Sequence, residues 1–271
     1  IWKQPGVIKR IARPHQNSGE KLLIKIVSRL ALLLALLCHP LPSFAEDYMS
    51  EVARANELYA NNKYQEAVDS YETIIQKDFR NGHLFYNLGN SYIRLGKIGP
   101  AILNYIRAQK LIPRDENLQA NLNFAIQQTR DKISLPQPNA LGTLFFWVND
   151  LNLSENIKLA FYVNLSFWLI LAAWFYFRSN LLKLARNSVL SLLLVAFIAI
   201  GVKLHLESDS KMGVVLEKKV AVKSGLDLSN VTLFELHEGA LVTITDEHRD
   251  WVEIRLDPKQ KGWVPKSSIG I

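Results

Sequence analysis

Two apolar runs constrain this chain more than any other feature. Ile157–Phe177 is apolar with three interruptions, Lys158, Asn164 and Ser166, and Val189–Val202 is apolar but for Ser191. A helix needs about 20 apolar residues to cross a bilayer. Two such runs with a short connection predict a transmembrane hairpin over 157–206. The connection over 178–186 holds Arg178, Lys183 and Arg186 and no acid. Basic residues in a short loop are kept on the cytoplasmic side. The tip is therefore expected in the cytoplasm, with everything before and after it on the opposite face of the membrane. The competing reading is a buried helical pair in a soluble protein. The length of the runs and their freedom from charge stand against it.

The formal charge of +7 suggests a polyanion partner, but its distribution does not. Of 32 Lys+Arg and 25 Asp+Glu, residues 1–45 hold seven cations (Lys3, Lys9, Arg10, Arg13, Lys21, Lys25, Arg29) and one acid, Glu20, which leaves 25 and 24 over the rest. No nucleic-acid partner is expected from so balanced a remainder. Residues 1–45 have the layout of a secretory signal. A basic region ends at Arg29, Leu30–Leu37 is apolar, Pro40 and Pro42 follow, and Ser43 and Ala45 stand at −3 and −1 of a cleavage site after Ala45. The alternative is an uncleaved third membrane helix. The chain starts at Ile1 and its first methionine is Met49, so the earliest residues read as upstream sequence or a fragment edge. The only cysteine, Cys38, lies in this segment. The remainder can form no disulfide and has no thiol nucleophile.

Residues 46–135 carry an internal repeat of 34 residues. In the second unit, Leu88, Gly89, Tyr92, Gly96, Ala101, Tyr105, Ala108 and Pro113 fall at characteristic spacings; in the first, Ala55, Leu58, Asn62, Ala67, Tyr71 and Ile74 stand 34 residues before Gly89, Tyr92, Gly96, Ala101, Tyr105 and Ala108. Small residues mark where two helices of a unit cross closely, and the large ones fill the space around the crossing. This pattern resembles the tetratricopeptide repeat. Two units cannot cover both ends of a stack. Residues 115–130, with Leu118, Leu122, Ala125 and Ile126 on one face, predict a capping helix. Such arrays present a groove lined by the first helix of each unit. Counting along those helices places Asn56, Asn87, Asn90, Arg94 and Asn121 there. An asparagine carboxamide both donates and accepts, which suits binding an extended peptide through its backbone. The competing reading is ordinary polar surface. With eleven basic and eleven acidic residues over 46–135, the partner need not be strongly charged.

Residues 136–156 are read as a linker. Within it, Leu141–Val148, with Phe145, Phe146 and Trp147, predicts a helix lying in the membrane interface; the alternative is a packed loop. Ser154, Glu155 and Asn156 are expected to cap the first membrane helix. Asn164 is expected to bond across to the second helix, and Lys203 to extend to water at the outer end. From 212 to 271 the pattern changes to short strands: 214–216, 221–223, 240–244, 251–255 and 262–264. The spacing Val222-Lys223-Ser224-Gly225, His237-Glu238-Gly239, Trp251, Gly262-Trp263-Val264-Pro265 resembles the bacterial SH3-type domain. That resemblance implies a small all-β barrel, with Trp251 and Trp263 in its core or groove wall. His237 and Glu238 are expected at a solvated turn.

No His-Glu-x-x-His, phosphate loop or dinucleotide-binding pattern occurs, and the histidines outside residues 1–45 are scattered. No catalytic residue, metal site or cofactor is expected. The fold class is a multidomain membrane protein: a signal (1–45), two α-helical repeats plus a cap (46–135), a linker (136–156), a two-helix hairpin (157–206) and an SH3-like barrel (212–271). This order, with the second repeat, the hairpin and the run Leu233–Gly239, resembles the BatE-type members of the bacterial aerotolerance (Bat) family. The resemblance implies a periplasmic scaffold on the bacterial inner membrane, linked to envelope integrity or stress. It also implies protein partners, namely membrane proteins with von Willebrand A domains and, indirectly, a MoxR-type AAA+ ATPase. A second reading is a cell-wall module that binds peptidoglycan through the barrel.

Overall fold

The computed structural model of the protein describes residues 43–133, 143, 150–209, 211–257 and 260–271. The signal region up to residue 42, with Cys38, and nearly all of the expected interfacial helix at 141–148 lie outside the described residues.

Five helices come first: α1 Ser43–Ala60, α2 Tyr64–Gln76, α3 Gly82–Arg94, α4 Ile98–Leu111 and α5 Glu116–Gln128. They form two helical hairpins and a covering helix, in the register the 34-residue period predicts. Ala55, Ala67, Ala101 and Ala108 are fully buried at the crossings. A side chain on Gly89 would begin 2.6 Å from the Tyr105 ring, so the close approach of α3 and α4 requires glycine. Both hairpin turns need a left-handed residue, supplied by Asn62 (φ 60°) and, 34 residues on, Gly96 (φ 71°). The Asn81 side chain caps α3 and Asp115 caps α5, each accepting a backbone N–H at 2.8 and 2.9 Å. Leu118, Leu122, Ala125 and Ile126 bury the inner face of α5.

Two long helices follow, α6 Leu153–Phe177 and α7 Asn180–Asp209. Their apolar stretches, Leu153–Phe177 and Asn180–Leu206, have mean hydropathy 1.6 and 2.4 and are long enough to cross a membrane. They pack on each other through Ala160, Val163, Leu193 and Ala199, while Phe161, Trp168, Leu194 and Phe197 stay exposed. That is the inverse of a soluble core helix and suits a lipid surround. Four expectations are corrected here. The N-cap of α6 is Asn152, not Ser154: Asn152 and Glu155 form a reciprocal capping box at 2.8 and 2.9 Å. The connection between the helices is two residues, Arg178 (φ 52°) and Ser179, so Lys183 and Arg186 belong to the first turns of α7. Lys203 is 8 % exposed, buried rather than extended to water, and Asn164 makes no bond to α7 among the described residues. Ser166 and Ser191 bond back to their own helices.

The chain ends in an antiparallel sheet: β1 Met212–Val215, β2 Lys219–Lys223, β3 Thr232–His237, β4 Leu241–His248, β5 Trp251–Arg255, β6 Lys261–Pro265 and β7 Ile269–Gly270, ordered β3-β2-β6-β5-β4-β1-β7. Strands β3 and β7 were not anticipated. Val215, Val220, Val222, Leu236, Val242, Ile244, Val252, Ile254, Val264 and Ile269 meet in one core. Strands from both ends of the order contribute, so the sheet curls around it. Trp251 and Trp263 do not enter this core. Val252 pairs with Val264 and both are fully buried; since side chains alternate along a strand, the neighbouring tryptophans fall on the outer face, half-buried.

The sheet docks directly on α4. Val214 and Leu241 join the helical core, with Met212 and Leu216 packed against it. A side chain on Gly99 would begin 2.6 Å from the Val215 carbonyl oxygen, and one on Gly239 2.6 Å from Thr129. The Gly99 N–H donates to Glu238 Oε1 at 3.0 Å, and Arg107 Nη2 donates to the Ile271 oxygen at 2.7 Å. The Asp131 carboxylate takes the His237 backbone N–H at 2.7 Å and lies 2.9 Å from its Nδ1. Burying an aliphatic side chain contributes about 2 kcal/mol and a net hydrogen bond about 1 kcal/mol. The apolar contact therefore supplies much of the hold, and the polar contacts fix the register. The expected solvated turn at His237 and Glu238 is instead part of this junction.

Candidate functional site

The five residues selected from the helical period divide into a ladder and an outlier. Asn56 lies on α1, Asn87 and Asn90 on α3, and Asn121 on α5. The structure brings them together in two equivalent rungs. In the first, the Tyr71 hydroxyl donates to Asn56 Oδ1 at 2.7 Å and Asn87 Nδ2 donates to the same oxygen at 3.0 Å. In the second, the Tyr105 hydroxyl donates to Asn90 Oδ1 at 2.7 Å and Asn121 Nδ2 donates to that oxygen at 2.9 Å. Asn121 Nδ2 also donates to the Tyr86 hydroxyl at 3.0 Å. Every member of the second rung stands 34 residues after its counterpart in the first.

The tyrosines set the orientation. Tyr71 and Tyr105 are 0 % and 1 % exposed, and a buried hydroxyl must find a partner. Burial pushes the Tyr71 hydroxyl up to about 12 and drives that of Tyr105 well above its ordinary value. Both therefore remain donors at any ordinary pH. Each fixes Oδ1 of its asparagine toward the core, and that oxygen accepts the next asparagine as well. What remains is regular. The Nδ2 donors of Asn56 and Asn90 and the Oδ1 acceptors of Asn87 and Asn121 have no partner among the described residues. Each rung thus offers one unused amide nitrogen and one unused amide oxygen. Asn56 is exposed and the other three are half-buried.

Arg94 is the outlier. It is exposed one turn beyond Asn90, with its guanidinium carbon 5.9 Å from the Tyr64 ring centroid. The Tyr59 hydroxyl is the largest influence holding its proton more tightly than usual. It belongs to an aromatic corner made by Tyr59 and Tyr64, whose rings lie edge-to-face at 5.4 Å. The helical period did not reveal the roles of Tyr71 and Tyr105, which it assigned to packing alone, or of Tyr86. Phe124, three residues after Asn121, is 55 % exposed, an apolar side chain beside the ladder. One signal could have found the tyrosines: a tyrosine at a buried position of a repeat carries a hydroxyl that needs a partner.

The ladder presents amide hydrogen-bonding groups. It holds no nucleophile, no carboxylate and no histidine. Among the described residues, no group of three or more His, Cys, Asp or Glu could hold a metal ion. A shallow cleft of about 440 Å³ lies between α1 and α2, lined by Glu51, Arg54, Leu58, Glu66, Asp69 and Lys77 among others. It shares no residue with the ladder. Searches against protein-family models and curated proteins returned no match for this chain.

Proposed function

We propose that the protein is a membrane-anchored scaffold whose helical groove holds an extended segment of a partner protein. The observation that carries this reading is the ladder of free amide groups. An extended peptide presents one N–H and one C=O per residue. A carboxamide pair offering one acceptor and one donor matches that unit without reading side chains. Arg94 and Phe124 would add a preference for a neutral or mildly acidic segment with an apolar side chain. In this reading the five helices are two tetratricopeptide-type repeats with a cap, and the sheet is an SH3-type barrel. The hairpin crosses a bacterial inner membrane with its basic tip inside. The groove and sheet then face the periplasm, and the partners are the von Willebrand A membrane proteins of a Bat-type complex.

The test is capture. The full chain carrying Asn87→Ala and Asn90→Ala is compared with the parent after light crosslinking in cells and extraction in mild detergent. The parent is expected to bring down von Willebrand A proteins near stoichiometry, and the folded double variant to lose them. Equal capture by both would refute the groove. Sedimentation of the parent with purified sacculi, in the absence of protein capture, would instead favour the peptidoglycan reading.

A further inference from the structure

The two-residue turn between α6 and α7 gathers positive charge around a single indole. The Arg178 guanidinium carbon lies 5.3 Å from the Trp174 ring centroid and 4.7 Å from that of Phe175, and the Arg186 carbon lies 4.5 Å from the same Trp174 centroid. Lys183 lies on α7 about one turn before Arg186. No ion pair to them is found among the described residues, and the sequence has no Asp or Glu from 156 to 206. Their internal bonds are to neutral acceptors only. Arg178 Nε donates to the Phe175 oxygen at 3.2 Å, and Arg186 Nε and Nη2 donate to Asn187 Oδ1 at 3.1 and 2.9 Å. Among the described residues, most N–H groups of Arg178 and part of the Arg186 fork have no partner.

Two guanidiniums on one ring repel each other, and a cation–π contact at an exposed site returns only about 0.5–1 kcal/mol. An anion bound by both would reverse that balance. A phosphate oxygen pair suits the planar guanidinium fork, and such charge-assisted bonds are roughly twice as strong as neutral ones. Trp174 gives the depth, because tryptophan prefers the headgroup level of a bilayer.

We propose that Arg178 and Arg186, held over Trp174 and assisted by Lys183, form a site for a phosphodiester anion, supplied by an anionic phospholipid headgroup at the hairpin tip. The site rests on the membrane-spanning part of the proposed function. It does not depend on the groove.

The experiment uses the purified full chain in detergent with an equimolar mixture of phosphatidylglycerol and phosphatidylcholine, and reads retained lipid by native mass spectrometry. The parent is expected to retain phosphatidylglycerol in preference by about tenfold, the size of one charge-assisted contact. Arg178→Gln with Arg186→Gln should abolish the preference, and Lys158→Gln, at the other end of α6, should leave it intact. Trp174→Leu should weaken it while keeping both charges. Loss of the preference on adding inorganic phosphate would assign the site to free phosphate and overturn the lipid source. An unchanged preference in the folded double arginine variant would overturn the site. Retention of phosphatidylcholine reports insertion separately: a chain that retains neither lipid fails the membrane reading, and one that retains both equally fails only the arginine site.

Discussion

The helical array has two sides made from the same repeat unit, and they differ in how completely their polar groups are used. On the α4 side, where the sheet docks, Gly99 N–H meets Glu238, Arg107 meets the Ile271 oxygen and Asp131 meets both His237 donors. On the side formed by α1, α3 and α5, four asparagines satisfy one another only in part and leave donors and acceptors in a regular series. A used surface is a structural joint, and a surface left half used is available to a ligand. The contrast also tells against reading every polar side chain on a repeat as solvated decoration.

The contrast can be broken most strongly at Gly99. Replacing it with valine drives a side chain into the Val215 carbonyl, which is backbone and cannot yield. A loss of about 3 kcal/mol is expected, seen as a fall in the thermal midpoint in detergent and as early protease cleavage of the sheet. Full stability in this variant would mean the sheet is not docked as described. Asp131→Ala comes next. It strips the acceptor from the half-buried His237 N–H and Nδ1 and should cost about 2 kcal/mol in urea unfolding, with the groove unaffected.

The groove side should respond less. Tyr105→Phe removes the donor that orients Asn90 and should cost about 1 kcal/mol, while reducing partner capture several-fold because Asn90 can then turn. A variant that lost the same stability but captured normally would separate orientation from binding. Asn87→Ala with Asn90→Ala should change stability by under about 1 kcal/mol, in contrast to its effect on capture.

The smallest effect lies at Glu247, whose carboxylate is held below its usual range first by Lys266 and then by Lys211. A depressed carboxylate stabilises the fold above its unfolded pKa and loses that contribution as pH falls through the folded value. The parent should therefore lose stability on acidification through the carboxylate range, and Glu247→Gln should flatten part of that slope. Identical slopes would leave the exposed pairs without measurable weight, as is common at surfaces.

Much of this architecture was legible because periodicity reports which face of an element is buried. The 34-residue register located the crossings at Ala55, Ala67, Gly89 and Ala101, and hydropathy located both long helices. Periodicity is silent on what covers a face. Glu238 meets Gly99 across 139 positions and His237 meets Asp131 across 106, and no local pattern links them. The same limit left Trp251 and Trp263 open between core and groove wall, and the valines beside them take the core. Strand β7 has two residues, too short for an alternation to register. Ser154 looked like the cap by residue type. Asn152 takes the role because its Nδ2 also bonds the Leu111 oxygen at 2.8 Å while its partner Glu155 meets Arg114 at 2.7 Å. Asn56, Asn87, Asn90 and Asn121 were chosen for a shared face, and they do lie side by side in bonded pairs. The hydroxyls behind them were invisible because a hydropathy pattern treats tyrosine as bulk.

Those last two bonds carry a mechanical consequence. α6 is tied to the end of α4 by Asn152 and to Arg114, three residues beyond it, by Glu155, and β1 begins three residues after α7 ends. The second connection is short in sequence, and the first is tied by side chains. In a bilayer, such a mount would give the groove a fixed height and tilt, so that it samples a thin layer instead of a sphere. A partner anchored in the same membrane at the matching height would meet it at high effective concentration. One tethered a few turns higher would rarely meet it at all. Inserting a flexible segment at residue 210 would trade that selectivity for reach.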